Sequence, residues 1–196
     1  MTYNLGMAQG KKIGLIGTNG AGKSTVCDYL RELNFTVISL SDFVRESLSQ
    51  DGKSHSRDHL IERANQLKAE HGQDVLAKKA FTKYSKRDAT NVVFDSIRNA
   101  HETRYLKSKN VILIGVDATV EKRYDRILQR QRASDLIDFN TFVRHDELEM
   151  KGLSSGQNIE AAIADCDYKI NNNGSLSDLH RDIENVLQCP VWDIES

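Results

Sequence analysis

Five short apolar runs alternate along this chain with longer segments in which apolar residues recur at helical spacing. The runs are Lys12 to Ile16, Phe35 to Leu40, Asn91 to Phe94, Val111 to Val116 and Tyr168 to Ile170. They are rich in β-branched residues and show little period-2 alternation, which predicts strands covered on both faces, as in a parallel sheet. The connecting segments, 22–33, 41 to about 87, 97–107 and 119 to about 164, are each long enough for a right-handed helical crossover. The pattern therefore predicts a three-layer α/β/α fold around a five-stranded parallel sheet. A last helix, about Leu176 to Leu187, follows Ser175, which with Asp178 has the form of a capping box. The crossover after the second run is unusually long, with helical patterns around 57–71 and 73–86, so 41–87 reads as a helical insertion. No repeat or low-complexity segment interrupts the 196 residues, and the single proline, Pro190, lies near the end. One domain is expected.

Between the first strand and the first helix stands Gly17-Thr18-Asn19-Gly20-Ala21-Gly22-Lys23-Ser24, a full G-x-x-x-x-G-K-[ST] phosphate-binding loop. Each position has a physical reason. The glycines open backbone conformations in which successive N–H groups point inward at phosphate oxygens. Lys23 supplies a mobile charge for the β- and γ-phosphates, the Ser24 hydroxyl can ligate Mg²⁺, and the following helix adds its positive N-terminal end. Gly17, Asn19, Gly20, Ala21, Gly22, Lys23, Ser24 and Thr25 form the expected nucleotide-binding set. The dinucleotide fingerprint G-x-G-x-x-G does not fit, because Asn19 stands where its second glycine belongs. The loop predicts an NTP-binding protein.

Composition narrows the partners. Lys and Arg total 27 against 28 Asp and Glu, a balance that gives no reason to expect a nucleic-acid or membrane partner. No apolar stretch reaches about 18 residues and the N-terminus has no signal-peptide pattern, so a cytoplasmic location is expected. Cys27, Cys166 and Cys189 lack metal-type spacing and read as reduced packing residues. His55 and His59 lie four apart with no third ligand evident, which reads as a surface pair. Oligomeric state stays open.

Three further constellations carry chemistry. Val92-Val93-Phe94-Asp95 is an apolar strand ending in a carboxylate, placed to orient magnesium, and Arg98 follows three residues on. Ser41-Asp42-Phe43-Val44-Arg45 follows the second strand. There Arg45 offers a donor fork suited to phosphate, or a surface charge paired with Asp42 or Glu46. A helix from Val120 to Arg132 sets Arg123, Arg126 and Arg130 three and four residues apart on one face, either a salt-bridge stripe with Glu121 and Asp125 or cations for a triphosphate. Arg130 and Arg132 fit the second role best.

With these motifs, and with Asp167-Tyr168 to Asn172-Asn173-Gly174-Ser175, the chain resembles the P-loop nucleoside monophosphate kinase superfamily. Within it, the chain is most similar to the adenylate-kinase-related, dephospho-CoA-kinase-like family, over about Lys12 to Leu187. The resemblance implies ATP and Mg²⁺ as cofactors, with Ser24 and Asp95 at the metal, and a small nucleotide-like acceptor. A nucleoside or deoxynucleoside monophosphate comes ahead of dephospho-CoA. Arg45 matches the arginine that holds the acceptor phosphate in G-D-x-x-R, Arg98 that of D-G-x-P-R, and Arg130 and Arg132 match arginines of a lid at about 126–138. Ser41 stands where the first motif has Gly, and Ser96 and Asn99 depart from the second. Lys23, Asp42, Asp95, Arg130 and Arg132 are the expected catalytic set, and Asp42 would be the base if the acceptor offers a hydroxyl. A regulatory or assembly NTPase is the competing class. It would need Lys23, Ser24 and Asp95 but not Arg45 and Arg98 in one cleft.

Overall fold

The computed structural model describes residues 10–86, 90–130, 137–152 and 158–189. Its strands are β1 (Lys12–Ile16), β2 (Thr36–Ser39), β3 (Val92–Ile97), β4 (Ile112–Asp117) and β5 (Tyr168–Asn171). All pairings are parallel, and the sheet order is β2-β3-β1-β4-β5. Around the sheet lie α1 (Lys23–Glu32), α2 (Leu40–Gln50), α3 (Arg57–His71), α4 (Val75–Ser85), α5 (Ala100–Lys107), α6 (Val120–Gln129), α7 (Phe139–Lys151), α8 (Ile159–Ala164) and α9 (Leu176–Leu187).

The unbroken apolar runs follow from burial on both faces. Ile13, Leu15, Val93 and Ile114 pack with Val26 and Leu30 of α1 and Ile183 of α9. Ile16, Phe94 and Leu113 face the other way, onto Leu40 and Val44 of α2, Leu76 of α4 and Leu106 of α5. The central strands β1, β3 and β4 thus feed both cores, while the edge strand β5 packs Tyr168 and Ile170 on one side and leaves Lys169 and Asn171 exposed. The last helix starts as its sequence dictates. The Ser175 hydroxyl accepts from the Asp178 N–H at 3.2 Å, while the Asp178 carboxylate accepts from the Ser175 N–H at 2.9 Å.

Two elements differ from the sequence reading. β2 stops at Ser39, and Leu40, fully buried, already opens α2, so the helices after β2 number three rather than two. The expected helix 120–132 ends at Gln129 with Arg130 as its C-cap, and 131–136 lie outside the described residues.

The chain leaves β1 toward one edge of the sheet for β2, returns to β3, and crosses to β4 on the other side. The carboxyl end of β1 is therefore a topological switch point, where open α/β sheets form their ligand crevice.

Candidate functional site

The phosphate loop sits in that crevice. Gly20 and Gly22 have φ of 81° and 101°, a region costly for any residue with a Cβ. Space forbids a side chain as well: a Cβ would lie 2.5 Å from the Arg123 carbonyl oxygen at Gly20 and 2.2 Å from Asn172 Nδ2 at Gly22. The loop is held from outside by its carbonyls. Asn172 Nδ2 donates to the Ala21 carbonyl at 2.8 Å, and Arg126 Nη1 reaches the Gly20 and Ala21 carbonyls at 3.4 and 3.5 Å. Arg126 Nη2 in turn donates to the Asn172 carbonyl at 2.8 Å, and Arg130 Nη2 to Asn19 Oδ1 at 2.9 Å. C=O and N–H of a trans peptide point in opposite directions, so an outward-anchored Ala21 carbonyl aims the Gly22 N–H into the loop.

Sequence spacing places Arg123, Arg126 and Arg130 on one helix face; the structure separates their roles. Arg123 is buried and forms a bidentate pair with Asp146 of α7, at 2.5 and 2.7 Å, while its Nε donates to the Ala118 carbonyl. It fastens α7 to the loop region. Arg126 braces the loop from behind, and Arg130 is the member joined to the Asn19 side chain. Arg132 and positions 131–136 of the expected lid lie outside the described residues.

Lys23 is not the solvent-facing loop residue its place after a glycine run suggests. It opens α1, is half-buried, and its ammonium donates to the Gly17 and Thr18 carbonyls at 2.7 and 2.8 Å. Burial pushes its pKa down to about 8, helped by the charge of Arg98 and opposed by Asp95 and Glu149. Ser24 is exposed and Thr25 half-buried in the first turn of the same helix.

Asp95 does not end its strand. β3 runs on to Ile97, with two steps on β1 (Gly14 to Ile16) matched by three on β3 (Phe94 to Ile97). This bulge, with Ser96 at φ 67°, re-aims the carboxylate. Asp95 Oδ1 is buried with no hydrogen-bond partner among the described residues, and Oδ2 accepts from Ser96 Oγ at 3.0 Å. From there a file of hydroxyls crosses to β2 and α2. Ser39 Oγ donates to Ser96 Oγ at 3.1 Å, the Ser39 and Ser41 hydroxyls are 2.9 Å apart, and Arg45 Nη1 donates to Ser41 Oγ at 2.6 Å. Arg45 also pairs with Asp42 at 3.0 Å, both side chains about half exposed, and the two line an open depression of about 480 Å³ with Glu46, Ser49 and His55. Arg98 donates its backbone N–H to Glu102 at 2.8 Å, and its guanidinium lies 3.9 Å from Glu149 of α7. Asn99, the departure from D-G-x-P-R, caps α5 by accepting from the His101 and Glu102 N–H groups.

Sequence reasoning missed Glu149, Glu102 and Lys68, charged residues on helices whose spacing gives no sign of burial. Asn172 is quoted above only within a motif, and its contact with Ala21 spans 151 positions.

A 2-3-1-4-5 parallel sheet with a glycine-rich phosphate loop after its central strand defines an α/β P-loop protein of kinase-like fold. The AAA domain family profile matches residues 13–152, and the chain belongs to that family. It belongs equally to the UPF0200 proteins, being 32% identical over 183 residues to the one from Methanococcus maripaludis strain C7, a match covering 91% of this chain and 96% of the relative. Among solved structures it is similar to TT1252 from Thermus thermophilus, with a TM-score of 0.61 at 21% identity over 91% of this chain and 97% of the other. A shikimate kinase from Bacteroides thetaiotaomicron gives a TM-score of 0.59 at 13% identity over 91% and 99%. Likenesses this remote establish the fold. Among the described residues no helix is long and apolar enough to cross a membrane.

Proposed function

We propose that this chain is a Mg²⁺-dependent phosphotransferase that moves the γ-phosphoryl group of ATP to a small nucleotide-like acceptor, with a nucleoside monophosphate favoured and dephospho-CoA the alternative. The observation that carries the reading is the buried Oδ1 of Asp95, which has no hydrogen-bond partner among the described residues and whose charge acts on Lys23. A desolvated carboxylate oxygen without a donor is costly unless a ligand completes it, and a hydrated divalent cation does so. The donor types fit that ion: a carboxylate from Asp95 and a hydroxyl from Ser24 in the first turn of α1. Ser24 and Asp95 would hold Mg²⁺ there, and the ion would supply charge neutralisation to the phosphates.

The chain's own residues do the positioning. The 17–25 backbone cradles the phosphates, Lys23 leaves its loop carbonyls to follow the transferring group, and Arg130 approaches from the α6 side, with Arg132 in the same expected role. Arg98 and Arg45 receive the acceptor, and Asp42 serves as base where the acceptor offers a hydroxyl. A loose phosphoryl transition state asks little beyond such placement and charge. The finer likeness to adenylate-kinase-related enzymes belongs to this proposal.

A coupled ADP-release assay scanning nucleoside monophosphates and dephospho-CoA tests it. One acceptor should stimulate ADP release, and Lys23→Ala should lower that rate by about 10²-fold or more, as expected for losing one charge-stabilising donor. ATP turnover indifferent to every acceptor would instead support a regulatory NTPase.

A further inference from the structure

Among the described residues three buried side-chain polar atoms have no hydrogen-bond partner: Thr18 Oγ1, Asp95 Oδ1 and His145 Nδ1. Thr18 belongs to the phosphate loop, and Asp95 to the bulge of the neighbouring strand. His145 comes from α7, far along the chain, yet that helix is pinned to the same crevice at two points. Asp146 holds Arg123, whose Nη1 also reaches the Asn19 carbonyl of the loop at 3.5 Å. Glu149 lies 3.9 Å from the guanidinium of Arg98, the residue that follows β3. Since β3 and β1 are neighbours in the sheet, α7 runs from the loop side of the crevice to its β3 side. Phe142, buried with its ring centre 5.8 Å from Arg123 Cζ, marks the same face of α7 at its start. His145 stands three residues after Phe142 and four before Glu149, so helical spacing puts it on that face as well. Its ring is half-buried, with Nδ1 shut off from solvent. Buried polar atoms left unpaired are costly and few in native proteins, and here they gather at one crevice.

We propose that His145 is a ligand-binding residue of this crevice, its Nδ1–H donating to a phosphate oxygen. Phosphate is the class of ligand that the glycine-rich loop is built to hold, and α7 meets the crevice from the side opposite the sheet. An ionised phosphate oxygen can only accept, so the claim also fixes the proton: with ligand bound, the ring carries it on Nδ1. The phosphate is the γ-phosphate of the nucleotide or a phosphate of the acceptor, and the chemistry at Nδ1 is the same for both. The inference rests on the phosphotransferase reading only for the second of these sources.

The test uses the full chain with ¹⁵N-labelled imidazoles, the His145 signals being assigned by their loss in His145→Asn. If the γ-phosphate is the partner, the Nδ1 signal should move on saturation with Mg²⁺ and a non-hydrolysable ATP analogue but not with Mg²⁺ and ADP. If the acceptor's phosphate is the partner, it should move only when inorganic phosphate is added on top of the ATP analogue. Calorimetry reads the same contact as affinity. His145→Leu should weaken whichever ligand moved the signal about tenfold, and His145→Asn, whose amide nitrogen falls near the place of Nδ1, should keep most of it. Without ligand, His145→Leu should melt no lower than wild type, because the nitrogen it removes has no partner to lose. A signal unmoved by either phosphate overturns the proposal, as does a His145→Leu variant that melts lower yet binds both ligands as wild type does. If His145→Leu does not fold, the ¹⁵N titration of wild type decides alone. Failure of the phosphotransferase reading looks different: no acceptor stimulates ADP release while one of the two phosphates still moves Nδ1.

Discussion

Lys23 carries a measurable pH signature. Its ammonium, lowered to about 8 in the unliganded protein, regains a full charge beside phosphate oxygens, so nucleotide binding takes up a proton above that pH. ATP affinity should fall by up to about tenfold per unit as pH rises above 8, measured with a fluorescent ATP analogue between pH 7 and 10. A flat profile would mean that Lys23 keeps its ordinary pKa. Without ligand the linkage has the opposite sense. The unfolded chain holds the proton up to about 10.5 while the folded chain has lost it, so this group makes stability rise between pH 8 and 10.5.

Ser96 offers a cleaner test of backbone cost. It is a non-glycine residue at φ 67° whose hydroxyl serves Asp95. Ser96→Ala and Ser96→Gly both delete the hydroxyl and differ in the left-handed conformation, so the glycine variant should be the more stable by about 1 kcal/mol in urea unfolding. The phosphate loop was legible because its spacing is chemistry written in consecutive residues. The bulge was not, since nothing in Phe94-Asp95-Ser96-Ile97 distinguishes a left-handed serine from an extended one. Lys68 was invisible for a related reason: a lysine on a helix reads as solvated, and only the tertiary fold buries it.

The helix α6 shows how one stripe divides its labour. Removing Arg123 strands Asp146, whose side chain is 12% exposed, so Arg123→Ala should cost about 3–5 kcal/mol of stability. Arg126→Ala leaves no buried charge behind but releases the Gly20, Ala21 and Asn172 carbonyls. It should weaken nucleotide binding while the melting temperature moves little, a contrast that paired calorimetry and thermal unfolding would reveal. Equal destabilisation by both would contradict this division. The shared face followed from the three- and four-residue spacing, but the partners that tell the arginines apart, Asp146, Asn172 and Asn19, lie on other elements and enter only with the tertiary fold. The strands were readable for the opposite reason: burial on both faces leaves an apolar run that needs no partner to be recognised.

Across the whole molecule the two acceptor chemistries separate by charge. Arg98→Ala should raise the acceptor KM and lower kcat with little change in ATP affinity, whereas Asp42→Asn should abolish transfer only to a hydroxyl acceptor, for want of a base. Steady-state kinetics with the stimulating acceptor decides. Loss of transfer to a monophosphate in Asp42→Asn would contradict the favoured reading.

The serine file between Arg45 and Asp95 gives the molecule a wire with a sense of direction. A guanidinium can only donate and a carboxylate can only accept, so every hydroxyl proton in the file is turned from α2 toward β3. Under the proposed function an acceptor anion at Arg45 and a metal at Asp95 would act on the two ends of this one file, three hydroxyl protons apart. Ser39→Ala cuts the wire at its middle. Each ligand should then bind with its own affinity intact and lose its influence on the other, as a double titration would record.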